Sequence, residues 1–101
     1  MQVSAQDKDL AIACMRISEH RDQQLYKAIT LYRLKDEPQK ADNLFLNLLR
    51  EYPDDVEIAL ENLKFVRTMM KQQVQLRRSN SPEAEAKQLV ALIERVLTDG
   101  D

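Results

Sequence analysis

Glycine is almost missing from this chain, which has one, Gly100, in 101 residues. A phosphate-cradling loop needs glycines where backbone approaches ligand closely, so nucleotide-loop chemistry is excluded. One cysteine, Cys14, rules out an internal disulfide, and one histidine, His20, leaves no Cys/His cluster to hold zinc. Tryptophan is absent and aromatic residues are 5% of the chain. No apolar run approaches the roughly 18 residues that a membrane span requires. The opening residues Met1 to Lys8 lack the apolar stretch of a secretory leader, so no membrane span is expected, and a reducing cytoplasmic setting is. Excess charge of one sign is missing too. Fifteen Lys and Arg against 17 Asp and Glu give a net charge of −2, which argues against a broad nucleic-acid or membrane-surface footprint.

What remains is a helix-forming list. Leu, Ala, Glu, Gln, Lys and Arg dominate, and straight-chain side chains lose little rotamer freedom in a helix. With 44% hydrophobic and 32% charged residues, the composition is that of a folded protein and not of a disordered tail. The length suits one domain over residues 1–101. Periodicity and capping signals predict five helices and no strands. The first, over 5–20, opens at Ser4 with Asp7 three residues on, and its inward stripe is Leu10, Ala13, Cys14 and Ile17. The second covers 22–35, with Leu25, Ala28, Ile29 and Tyr32 on one face; Lys35-Asp36-Glu37-Pro38 stops it. A third runs over 38–51 and faces inward through Ala41, Leu44, Phe45 and Leu48. Pro53 and an acidic cap at Asp54 open the fourth, over 55–77, and Ser81 before Pro82 opens the fifth, over 82–98. The connections are short, so consecutive helices are expected to pack as antiparallel hairpins.

Leu25, Ala28, Ile29, Tyr32, Ala41, Phe45 and Pro53 fall at the places of the tetratricopeptide pattern, a helix hairpin of about 34 residues. Small alanines stand where two helices approach closely, and Tyr32 and Phe45 fill the space between them. Residues 22–55 thus resemble one tetratricopeptide repeat, with two departures: Leu25 replaces the usual Trp, and Ile29 the usual small residue. The resemblance implies an all-α, right-handed superhelical stack of about five helices. Continued along the chain, it places Ala59, Asn62, Leu63 and Val66 on the next first helix, and it aligns Ala86, Val90 and Ile93 of the fifth helix with Ala41, Phe45 and Leu48. In this family the first helix of each hairpin lines the concave groove. The resemblance therefore implies partner contacts from Gln23, Tyr26, Thr30 and Arg33, and from Leu60, Lys64 and Arg67. The family's clamp for C-terminal carboxylates is not reproduced, since Tyr26, Thr30 and Glu61 occupy its Lys and Asn places.

The fourth segment carries two apolar stripes at helical spacing. Val56, Ala59, Leu60, Leu63, Val66, Met70 and Val74 form one, expected to face the preceding hairpin. Ile58, Phe65, Met69 and Leu76 form the other. Two coverings are open for this second stripe. The fifth helix buries it through Leu89, Val90, Ile93, Val96 and Leu97, or a partner polypeptide covers part of it, Phe65 and Met69 above all, together with Tyr26, Leu31 or Leu34. The basic end of this segment, Arg67, Lys71, Arg77 and Arg78, reads as a solvated helix terminus complementing the dipole.

Catalysis has little to stand on. Cys14 and His20 are six residues apart, on different sides of a helix, and the carboxylates sit largely beside Lys or Arg at helical spacing, as on solvated faces. No catalytic residue, cofactor or metal is expected. The expected function is a protein–protein interaction module, a small adaptor or chaperone holding an apolar or amphipathic segment of a partner. The alternative is a structural homodimer formed through the second stripe of the fourth segment.

Overall fold

Helix breaks decide this architecture more than helix formation does. The computed structural model describes residues 5–78 and 81–99, with side chains for 18–78 and 81–98. Among the described residues it is all-helical, with α1 at Ala5–Arg33, α2 at Pro38–Glu51, α3 at Val56–Lys71 and α4 at Pro82–Asp99. The stripe Leu10, Ala13, Cys14 and Ile17 and the Ser4 cap lie outside the described side chains.

Four helices stand where five were expected, because the first two are one. Glu19, His20, Arg21 and Asp22 contain neither Gly nor Pro, and extending a helix costs far less than nucleating a second one. The result is a 29-residue helix about twice the length of its neighbour α2. It stops as anticipated before Pro38. Asp36 takes a left-handed backbone (φ 53°), and the amides of Leu34 and Glu37 donate to the carbonyls of Thr30 and Leu31 at 2.9 Å each. Pro38 then occupies the first turn of α2, where its missing N–H costs nothing.

At the other end of α2 the cap falls one residue later than the acidic pattern suggested. Asp55, not Asp54, accepts the Ile58 amide at 3.1 Å and starts α3. α3 is also shorter than its apolar periodicity. It ends at Lys71, and Gln73 turns left-handed (φ 60°) with no glycine to ease it. The reason lies downstream. In a continuous helix Arg78 would sit about 24 Å along the axis from Asn62. The turn folds the chain back, and Arg78 Nη1 donates to Asn62 Oδ1 at 2.6 Å.

α1 and α2 form an antiparallel hairpin, with His20 opposite Glu51 at its far end. α3 packs across both, and α4 packs on α3. The core is built by Leu25, Ala28, Leu31 and Tyr32 of α1, Ala41, Phe45 and Leu48 of α2, and Ile58, Phe65, Val66 and Met69 of α3. Tyr32, Phe45 and Phe65 meet at its centre. The Phe65 ring lies 5.0 Å from each of the other two, stacked on Phe45 and tilted against Tyr32. This geometry corrects the expectation for the second stripe of α3, while Val66 of the first stripe joins the hairpin core as expected. Ile58, Phe65 and Met69 face the first hairpin, and neither α4 nor a partner covers them, because the aromatic trio buries most area when Phe65 lies between the hairpin helices.

α4 departs from its expected register as well. Glu85, Leu89 and Leu92 are its buried positions, while Val90, Ile93, Val96 and Leu97 are exposed. The fitted alignment of Ala86, Val90 and Ile93 with Ala41, Phe45 and Leu48 is therefore not the one adopted. A polar contact sets the difference: Glu85 points into the core toward Arg78 and Asn62, which rotates Val90 outward. The molecule is extended. Its radius of gyration of 16.4 Å exceeds the ~13 Å of a compact chain of this size.

Candidate interaction surfaces

Eight of the contact residues named from sequence separate into three groups. Phe65 and Met69 are in the core, at 0% and 2% exposure, and present nothing to a partner. Arg33, Lys64, Arg67 and Leu60 are exposed. Arg33 lies over the Tyr32 ring, 5.5 Å from its centre, and donates to the Tyr32 hydroxyl at 3.1 Å. Lys64 pairs with Glu61 at 3.2 Å. Tyr26 and Thr30 border a groove of about 660 Å³, but α2 supplies its other wall and α3 does not. The groove expected between α1 and α3, with Leu60, Lys64 and Arg67, is thus not where Tyr26 and Thr30 are placed. The reason is helical phase. Leu25, Ala28 and Tyr32 point at the core, so Tyr26 and Thr30 lie on the outer face of α1.

The α1–α2 groove follows from the sequence of the hairpin. Leu31 and Leu44 form its floor where the helices pack, with Tyr26 at one end. Lys27 and Lys35 from the α1 side and Lys40 from α2 stand around it, and Asn43 and Asn47 complete the α2 wall. Tyr26 is 71% exposed, and Leu34, just past the end of α1, is also largely in solvent. Glu37 is spent on Lys40, at 3.1 Å. Lys27 and Lys35 have no ion-pair partner among the described residues.

A second cleft, about 570 Å³, separates α2 from α4, with Leu46, Leu49, Leu89 and Leu92 on its walls. Behind it lies the feature that sequence reasoning missed. Arg78 was read as part of a solvated basic terminus, yet its side chain is only 5% exposed. Its Nε donates to Asp42 Oδ1 at 2.7 Å and its Nη1 to Glu85 Oε1 at 2.8 Å, while Asn62 Nδ2 donates to Glu85 Oε2 at 3.2 Å. The guanidinium also lies over the Phe65 ring, 5.8 Å from its centre. A single side chain, Arg78 beyond the end of α3, thus ties α2, α3 and α4 together. Two carboxylates share one cation, and Asp42 Oδ2 is buried without a partner among the described residues. A signal was available in Asn62, a polar residue in step with Ile58, Phe65 and Met69 on the core stripe.

Arg21 makes a parallel link at the surface. Its Nε and Nη2 grip Asp55 at 2.6 and 2.8 Å, and Nη2 also reaches Glu57 at 2.7 Å. The bond from Arg21 holds the Asp55 carboxyl below the usual carboxylate range, and the same bond raises the guanidinium further above its ordinary value. Asp55 therefore caps α3 and fastens it to α1. Near the same turn Asp54 pairs with Arg95 of α4.

His20 is exposed, 4.0 Å from Glu51, and the Cys14 side chain lies outside those described. No group of three metal-ligating side chains occurs among the described residues. No helix there is long and apolar enough to cross a membrane. Set against known proteins, the chain matches no family model, no curated protein and no solved structure.

Proposed function

We propose that this chain is a non-enzymatic protein–protein interaction module: a small adaptor or chaperone of tetratricopeptide-like design that holds an apolar or amphipathic segment of another protein. One observation carries the reading. A framework that packs Tyr32, Phe45 and Phe65 tightly still leaves Tyr26 on α1, Leu34 just past its end, and Val90 and Leu97 on α4 largely in water. Exposed apolar side chains grouped along helix faces mark contact surfaces more often than scattered ones do. The hairpin of residues 22–51, with Tyr32 and Phe45 centred 6.1 Å apart, supports the repeat-like part of the proposal. A cytoplasmic setting belongs to the same reading.

A second reading is favoured by α4 alone. Ala86, Val90, Ile93 and Leu97 recur at three- and four-residue steps, and such a stripe pairs with its own copy across a two-fold axis. The second stripe of α3 offers no such face, since Phe65 and Met69 are buried.

Capture from native lysate separates the two when combined with sedimentation velocity over a dilution series. The module reading expects a monomer that retains a partner, with retention lost in a Tyr26→Ala, Leu34→Ser variant or in a Val90→Ser, Leu97→Ser variant. A homodimer that persists on dilution and retains nothing supports the second reading. Equal retention by both variants and the wild type refutes the first.

A further inference from the structure

Resting on the module reading, we infer that the α1–α2 groove is a docking site for an acidic amphipathic helix of another protein. Charge complementarity selects the occupant. Lys27, Lys35 and Lys40 border a groove whose one acidic side chain, Glu37, is already engaged by Lys40. Positive charge therefore gathers around this groove although the chain as a whole carries −2. Carboxylates on an incoming segment meet unpaired ammonium groups at Lys27 and Lys35, which adds steering and specificity to burial.

The shape selects a helix. No sheet edge exists among the described residues, so a partner strand has no ladder to join. Two antiparallel helices instead present a furrow floored by Leu31 and Leu44, the position in which a third helix packs. Along α2 the wall from Lys40 to Asn47 is about 10 Å long, or about two turns. That length takes two or three apolar anchors at three- and four-residue spacing, with Tyr26 closing over one end and Thr30 and Asn43 meeting the polar flank. The exposed α4 stripe offers no comparable choice, since Lys87, Glu94 and Arg95 flank it with mixed charge.

The test uses the full chain and a designed peptide of about four turns, Leu at the anchor positions and Glu elsewhere. A second peptide carries Lys in place of every Glu. Amide shifts are followed by NMR at low salt. The acidic peptide is expected to move Tyr26, Lys27, Thr30 and Leu44, and to bind at least tenfold more tightly than the basic one. Lys27→Glu with Lys35→Glu should reverse that preference without altering the melting temperature, since both residues are exposed and unpaired. Tyr26→Ala should weaken both peptides alike. Equal binding of the two peptides, or no saturable shift up to about millimolar peptide (~4 kcal/mol), overturns the groove assignment. Shifts centred on Val90 and Leu97 overturn it too, while leaving the interaction-module reading standing.

Discussion

α2 and α4 are each fastened to α3, with different balances of apolar and polar contact. α2 is held through rings and aliphatic side chains, with Phe45 stacked on Phe65 and Leu48 beside them. α4 brings few buried apolar residues, Leu89 and Leu92, and depends on a buried polar knot at Arg78 and a surface pair at Asp54 and Arg95. Burial of hydrocarbon is non-directional and tolerates small displacements, whereas the polar knot demands one geometry. The comparison teaches that the hairpin core supplies stability, while the Arg78 knot chooses the rotation of α4 and with it which of its faces meets water.

The largest test strikes the aromatic side. Phe65→Ala removes the ring shared by Tyr32 and Phe45, and should cost about 3–5 kcal/mol in urea unfolding, destabilising every helix together. On the polar side, Arg78→Ala strands two buried carboxylates and should cost about 3 kcal/mol. Its signature differs from that of Phe65→Ala: hydrogen exchange should rise in α4 before α1 and α2. A triple replacement, Arg78→Met with Asp42→Asn and Glu85→Gln, removes the charges together and should restore most of the loss. If it restores stability and leaves α4 protection low, rotational choice is confirmed as the knot's role.

A smaller effect is expected at Asp55. Replacing it by Ala removes a helix cap and the grip of Arg21, for about 1–2 kcal/mol. Its pH dependence has a definite sign. The Asp55 carboxyl titrates lower in the folded chain than when unfolded, so its contribution is complete above the unfolded carboxylate value near 4 and is lost as pH falls through the folded one. Wild type and Asp55→Ala should therefore converge in acid, as read by thermal unfolding from pH 6 down to about pH 2. Smallest of all, Val90→Ser should change the unfolding free energy by less than about 0.5 kcal/mol, because 55% of that residue already lies in solvent.

The hairpin was legible because local and tertiary signals agree there. Pro38 and Pro53 punctuate it, Ala28 and Ala41 allow close approach, and Tyr32 and Phe45 sit at matching depths. Other features were not legible. The break expected after residue 20 had no breaking residue behind it. The end of α3 carries an unbroken apolar period through Val74 and has no glycine, so its position depends on Arg78 returning to Asp42 and Asn62. Of the surface residues, Tyr26 and Thr30 were found, but paired with the wrong neighbour, since phase along α1 gives a face and not the helix that borders it.

The order of residues alone determined that this chain is helical, where its prolines interrupt it, and that residues 22–51 close as a hairpin, because propensity, capping and spacing act over a few residues. Tertiary structure decided which stripe of α3 faces inward, where α3 stops and which side of α4 stays wet. Those outcomes turn on tertiary contacts such as Arg78 with Asn62 and with Asp42, 16 and 36 positions apart, and no local pattern encodes them.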